Sequence, residues 1–425
     1  MKTIFLFLFS GFLVTCGKEL PPPDPAKLAA LSPHIFTVRS IDPDDTIFTD
    51  LQPLKSVLNN KKIVLLGEQS HGDGSVFLAK ARLIKFLHEE MGFNVLAFES
   101  GLFECSLAEE LITSGVPVGE AARKSVFDIW TGSKQFQPVI QYLEATRKTN
   151  HPLHLAGFDL QITGLYGRDS LKSRLQKEFK SIPGHETEKQ VFLSVLDTVI
   201  KKLKPKEKIS APVRQAFYSS ADSLIAASGK LPLSPSHALH LQLLKSLKTY
   251  LTFLWTIDFN KPDPVTFNQR DRQMGENLVW LMRNQYPQEK IIVWAASSHI
   301  SRNRHEIRNR KEADTAMVPM GQQVWDTFRD SSYVLGFTAG GGRVGIREKK
   351  PWDLAKASSG TLEYWLEQTG NQNLWLDFKQ LPGDHWLRDT LRARPFGYSS
   401  MLARWPEMMD GLFYIQTMTP STGLE

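Results

Sequence analysis

Two cysteines in 425 residues leave no room for a disulfide framework, and no Cys-x-x-Cys pair exists to hold a metal or run redox chemistry. Charge of one sign is also scarce. The chain has 51 Lys and Arg against 45 Asp and Glu, a net charge of +6, too small an excess to imply a polyanionic partner. The lysines between Lys172 and Lys208 recur with helical spacing among Leu, Val and Glu. Without aromatic interleaving or a reading motif they describe a solvated helix face, and no nucleic-acid partner is expected. The familiar hydrolase signatures are missing as well: no Gly-x-Ser-x-Gly elbow, no His-Glu-x-x-His zinc helix, no phosphate-binding Gly-x-x-x-x-Gly-Lys loop. His88-Glu89-Glu90 lacks the second histidine. Chemistry in this chain therefore has to come from imidazoles and carboxylates acting on water, and no cofactor is expected.

What the first residues do contain is a leader pattern. Lys2 precedes the apolar run Ile4 to Val14, about eleven residues where a bilayer-spanning helix needs about twenty. That length suits a signal peptide, so the chain is expected to be exported. Leu13-Val14-Thr15-Cys16 resembles a lipobox, with Cys16 as the lipidated residue and Thr15 in place of the usual Gly or Ala. Residues 1–16 then form the signal segment, and 17–32, with Pro21-Pro22-Pro23, a proline-rich tether holding the body near a membrane. Cys105, left alone between the apolar Phe103 and Leu107, is expected to be a buried structural thiol.

Residues 33–425 alternate short apolar runs with helical periodicity, as in an α/β protein with an open, mainly parallel sheet flanked by helices. The expected strands are Lys62–Gly67, Asn94–Phe98, Leu153–Phe158, Ile291–Ala295 and Tyr333–Thr338. The triple glycine Gly340-Gly341-Gly342 is expected to form a turn leaving the fifth. Between about 165 and 260 no strand pattern exists, which predicts an inserted helical cap.

The residues that follow these strands point to a site. Glu68 and His71 come after the first, Glu99 after the second, Asp159 after the third and His299 after the fourth. In an open parallel sheet, ligands bind beyond the carboxyl ends of the strands, so these groups converge on one rim. On the helix after His71, Lys80 falls inside the apolar stripe Val76, Phe77, Leu83, Ile84, Leu87 and Met91. A buried ammonium needs a carboxylate, and Glu68 or Glu99 can supply it. Arg82 lies on the other side of that helix. On a helix over Gln269 to Met282, Arg270 and Asn277 project near the buried face set by Met274, Leu278 and Leu281, either toward the site or as links between cap and sheet.

Leu66-Gly67-Glu68-Gln69-Ser70-His71-Gly72, Lys80-Ala81-Arg82, Ala97-Phe98-Glu99, Gly157-Phe158-Asp159, Arg272-Gln273-Met274-Gly275-Glu276-Asn277-Leu278 and Val293-Trp294-Ala295 to Ser298-His299-Ile300 together resemble the erythromycin esterase family, in order along the chain. The resemblance implies that Glu68, His71, Glu99 and His299 are the active-site acids and imidazoles, that a basic residue at Lys80 or Arg82 supports them, and that the substrate is a small-molecule carboxylic ester, in some members a macrolide lactone. His71 would then take a proton from water, Glu68 or Glu99 would orient it, and His299 would polarise the carbonyl or protonate the leaving alkoxide. Two other readings fit the same residues. The Glu/His set could bind zinc or manganese in a metal-dependent hydrolase, or the chain could be a surface binding lipoprotein that has lost the chemistry.

Overall fold

The structure, a computed structural model, describes residues 24–202, 209–232, 234–258 and 263–424. Cys16 and the signal segment lie outside the described residues. In chain order the strands are β1 (Ile35–Thr37), β2 (Ile63–Leu66), β3 (Phe93–Gly101), β4 (His154–Asp159), β5 (Lys290–Trp294), β6 (Ser332–Val344), β7 (Trp352–Leu354), β8 (Asn373–Asp377), β9 (Leu391–Ala393), β10 (Met401–Ala403) and β11 (Gly411–Met418). Nine of them form one sheet in the order β1-β8-β11-β6-β2-β5-β3-β4, with β7 alongside β6, and β9 pairs with β10 separately. From β11 to β4 the neighbours run parallel. β8, β1 and β7 are antiparallel additions.

The parallel strands are apolar on both faces because both are covered. Ile63 and Leu65 of β2, Val95 and Ala97 of β3 and Val293 of β5 face one core, shared with the helices after β4. Val64, Leu66, Leu96, Phe98 and Trp294 face the other, under the helix Gly74–Met91. That helix stops at Gly92, whose φ of 70° is left-handed and whose N–H donates to the His88 carbonyl. From β2 the chain crosses to β3 and β4, returns to β5 between β2 and β3, then passes to β6 on the far side of β2. The connections leaving β2 and β5 therefore run in opposite directions, which makes the carboxyl ends of these two strands a topological switch point, the place where ligands bind in open sheets.

The region after β4 is helical: Leu165–Glu178, Glu186–Lys202, Ala211–Ser228 and Pro235–Thr256 pack in succession against one another and share the core on that face of the sheet. Pro264–Trp280 follows, started by Asp263, whose carboxylate accepts the N–H groups of Val265 and Thr266, with Pro264 at the first position.

Two expectations change. The triple glycine is not a turn but lies inside β6, where Gly341 and Gly342 pair with Thr417 and Met418. Gly342 has φ 114°, and a Cβ there would sit 2.2 Å from the Met418 carbonyl oxygen, so the glycine lets two backbones approach. The end of the segment 17–32 is also not extended. Asp24 caps a helix over Pro25–Leu31, and Leu31 is fully buried, so the body begins before residue 33.

Candidate active site

The rim over β2, β5, β3 and β4 carries two linked clusters. The first is built on the loop after β2. Glu68 is fully buried and takes three donors: Lys80 Nζ at 2.7 Å, Trp130 Nε1 at 2.8 Å and His71 Nδ1 at 2.7 Å. A carboxylate facing an ammonium is an acceptor, so His71 carries its proton on Nδ1 and turns the lone pair of Nε2 outward. The His71 side chain remains 31% exposed, while Glu68 and Lys80 are at 0%. Its ring stands edge-on to Trp130, with centroids 5.4 Å apart, and to Phe127 at 6.4 Å. Burial would lower the His71 pKa, but the hydrogen bond and charge of Glu68, helped by Glu99, outweigh it and hold the imidazole above its ordinary value.

The local chain explains this placement. Ser70 N–H donates to Asp73 at 2.8 Å and Ser70 Oγ at 3.1 Å, turning the loop so that Gly74 starts the next helix. A Cβ on Gly67 would lie 2.4 Å from Ser297 Oγ, so glycine lets the β2 loop lie against the β5 loop. Burial pushes the Asp73 pKa up to about 7. Lys80, less than two turns into its helix and among apolar neighbours on its own face, has its charge satisfied by Glu68 and by the Trp294 ring, 4.3 Å from Nζ to the centroid. Burial still draws its pKa down, opposed by Glu68.

The second cluster comes from β3, β4, β5 and the helix Pro264–Trp280. β3 shifts register against β4 between Phe98 and Gly101, and this bulge holds Glu99 at the rim. Arg270 joins the acids: Nη2 is 2.9 Å from Glu99 Oε1 and 2.6 Å from Asp159 Oδ2, and Nε is 3.3 Å from Asp159 Oδ1. Glu99 Oε2 accepts the Ala296 N–H at 3.0 Å. His299 donates from Nδ1 to Asp271 at 2.7 Å, and its Nε2 lies 3.3 Å from Glu99 Oε1 and 3.2 Å from Arg270 Nη1. Neutral, that nitrogen accepts from Arg270; protonated, it donates to Glu99. Both protonation states are thus provided for. Burial opposes the charged imidazole, but Asp271 and Glu99 raise the His299 pKa above its ordinary value. Glu99 moves the other way: burial would raise it, but His299, Arg270 and His71 bring it to about 2.

Not every residue expected at the site is there. Arg82 is buried on the far side of its helix, where it clamps Asp50 through two contacts of 2.8 and 2.9 Å and donates to the carbonyls of Ser40, Asp45 and Ile47. It anchors the loop before β2. Asn277 is structural too, donating to the Phe158 carbonyl at 2.9 Å and to Ser246, and accepting from Gln242 and Gln273. It ties the helix Pro235–Thr256 to the end of β4. Cys105 is fully buried away from the clusters, with a Cβ on Gly157 destined to meet its sulfur.

Sequence reasoning missed Trp130 and Asp271. Asp271 had a signal, since it stands three residues before Met274 and seven before Leu278, on the buried stripe. Trp130 had none, because its partner Glu68 is distant in sequence. Among the described residues no group of three or more His, Cys, Asp or Glu stands ready to hold a metal. The donor set shows why: Lys80 and Arg270 already occupy Glu68, Glu99 and Asp159, and a cation would have to displace them.

A family model described as erythromycin esterase matches residues 88–421. The chain belongs to the erythromycin esterase family. The matched stretch carries Glu99, Asp159, Arg270 and His299, while Glu68, His71 and Lys80 precede it. The chain is 26% identical over 402 residues to YbfO of Bacillus subtilis (strain 168), named provisionally as a hydrolase, covering 90% of this chain and 89% of that one. It is 20% identical over 412 residues to erythromycin esterase type II of Escherichia coli, covering 89% and 94%. Among solved structures, a mutant of the erythromycin esterase EreC in its open conformation shares the fold with a TM-score of 0.69 at 18% identity, over 92% of this chain and 99% of that one. A succinoglycan biosynthesis protein shares it with a TM-score of 0.75 at 17% identity, over 93% and 98%. Membership of the erythromycin esterase family supports hydrolysis as the class of reaction.

Proposed function

We propose that this protein hydrolyses a carboxylic ester with water activated by His71. The observation that carries the reading is the Glu68–His71 pair, in which Nδ1 is fixed on a buried carboxylate and Nε2 is left to face the crevice. As water attacks the ester carbonyl, its proton passes to Nε2, and Glu68 and Glu99 stabilise the imidazolium. His299, whose charged form Asp271 and Glu99 favour, gives its Nε2 proton to the departing alkoxide. Arg270 holds the two acids so that neither is an uncompensated buried charge when that proton leaves. Lys80 and Trp130 fix the rotamer of Glu68 and so the direction of His71. Relatives named erythromycin esterases support including macrolide lactones among the esters tested. The leader pattern supports export with a lipid anchor at Cys16.

The test uses purified protein with a panel of macrolides and simple esters, scored by mass spectrometry for addition of one water. His71→Ala and His71→Asn should fold normally and lose turnover by at least about a hundredfold, the lower end of general-base contributions. His71→Gln should not restore it, because an amide cannot take the proton. An acylated protein on rapid quench, or full turnover in His71→Ala, would overturn the mechanism.

A further inference from the structure

Behind His299 the chain carries Arg302, Arg304, Arg308 and Arg310 in close succession. Two of them are neutralised. Arg302 grips Asp410 at 2.9 and 3.2 Å, and Arg308 meets Glu306 at 3.0 Å. The side chains of Arg304 and Arg310 have no hydrogen bond or ion pair among the described residues, although the Nε–H of each is closed off from solvent. A guanidinium presents five donors and stays charged, so a half-buried one without an acceptor is an anomaly that calls for a missing partner.

Their backbone is held firmly enough to keep them there. Asn303 N–H donates to Gln322 at 2.9 Å and its side chain to the Glu407 carbonyl at 2.8 Å. Further on, Arg308 N–H donates to the Leu402 carbonyl and Leu402 N–H to Asn309 Oδ1, at 2.8 and 2.7 Å. Asn303 adopts φ 50°, a left-handed turn that asparagine tolerates, and so redirects the chain just before Arg304.

Arg304 is linked through its neighbours to both clusters. Its guanidinium lies 5.4 Å from the centre of the Phe396 ring. The neighbouring Gly397 donates its N–H to the Gln69 carbonyl at 2.9 Å, two residues before His71. On the other side, Asp271, the partner of His299, acts on the Arg304 charge, as does Asp314, while Arg310 repels it; burial is the largest influence and draws the pKa down. Gln69 adds a second anomaly at the same wall, since its buried amide has neither oxygen nor nitrogen bonded. Stacking on Phe396 accounts for one face of Arg304 but leaves its buried Nε–H unpaired, and Arg310 has no ring contact among the described residues.

We propose that Arg304, supported by Arg310, is an anion subsite beside the hydrolytic centre, selecting esters whose acyl or alcohol part bears a carboxylate or phosphate. The substrate class rests on the reading of His71 as the base of an ester hydrolase; the anion subsite rests on the unpartnered guanidinium groups. The two are separable by experiment. With the full chain, kcat/KM is measured for 4-nitrophenyl hydrogen adipate and for its neutral counterpart, 4-nitrophenyl methyl adipate. The anionic ester should be favoured at least about tenfold, in a ratio that falls as salt is added. Arg304→Met should bring the ratio close to one, Arg310→Met should lower it in part, and Arg304→Lys should retain some of it. Calorimetric titration with adipate and, separately, inorganic phosphate reads the subsite without hydrolysis. Saturable binding of either, lost in Arg304→Met, supports the subsite even if neither ester is cleaved, and the tighter ligand tells carboxylate from phosphate. Cleavage of both esters at equal kcat/KM, with no saturable binding of either anion, would show that the arginines are structural.

Discussion

Lys80 and Glu68 offer the sharpest test of how this site is assembled, because both are fully buried and joined at 2.7 Å. Lys80→Met keeps an unbranched apolar stem, one heavy atom shorter, but removes the charge. Glu68 is then left with the Trp130 N–H and the His71 Nδ1–H as its donors, and a buried carboxylate that loses its cation costs about 3 to 5 kcal/mol. The Lys80 contact with the Trp294 ring disappears as well, worth about 2 kcal/mol when desolvated. Part of that loss is offset by the methionine sulfur, which also packs on aromatic rings. Glu68→Gln alone should cost a similar amount, since it strands the ammonium. The double variant Lys80→Met/Glu68→Gln has no buried charge to strand and should cost clearly less than the sum of the two, leaving a coupling energy of several kcal/mol. Urea unfolding gives the four stabilities, provided m is unchanged across the set. Activity separates from stability here: the double variant should be nearly as stable as the parent yet remain inactive, because His71 has lost the carboxylate that orients it. With Lys80→Met alone, any remaining activity should rise at higher pH than in the parent, since an uncompensated Glu68 favours charged His71 more strongly. Additive costs in the cycle and an unmoved pH profile would refute the account of Lys80.

Further outcomes follow from the same geometry. The acid limb of the rate profile should have a midpoint above about 6.5, the ordinary histidine value, because the base works only when neutral and Glu68 favours its charged form; Glu68→Gln should move the midpoint down. Glu99, brought from its ordinary 4.5 to about 2, contributes stability that is fully present above pH 4.5 and lost as pH falls toward 2. That displacement corresponds to about 3 kcal/mol, so Arg270→Met, which removes one source of it, should flatten the acid side of a stability curve measured from pH 6 to 2. Cys16→Ser should abolish incorporation of labelled fatty acid and release the protein from membranes, whereas unchanged fractionation would remove the anchor.

Some of the site was legible in the sequence because chemistry conflicts with pattern there. A lysine inside an apolar helical stripe has to find a carboxylate, and acids and imidazoles placed after parallel strands have to share a rim. Arg82 defeated the same logic. It stands two residues after Lys80 and is just as buried, but the opposite face of the helix meets the loop carrying Asp50, and a helix position gives direction without identifying what waits there. Gly340-Gly341-Gly342 misled for a related reason, since glycine marks a turn or a close backbone approach equally well, and only the neighbouring β11 makes it the second.

The sequence by itself determined the parallel α/β class, the strands that carry Glu68, Glu99, Asp159 and His299, and the need to compensate Lys80, because periodicity and the cost of a buried charge act locally. Tertiary structure alone decided which acid Lys80 meets, that Trp130 completes the shell of Glu68, that Asp271 orients His299, and that the Arg304 and Arg310 side chains find no hydrogen bond or ion pair among the described residues. These contacts join residues far apart along the chain, and their selection depends on strand order and on a one-residue bulge at Glu99, which no local pattern encodes.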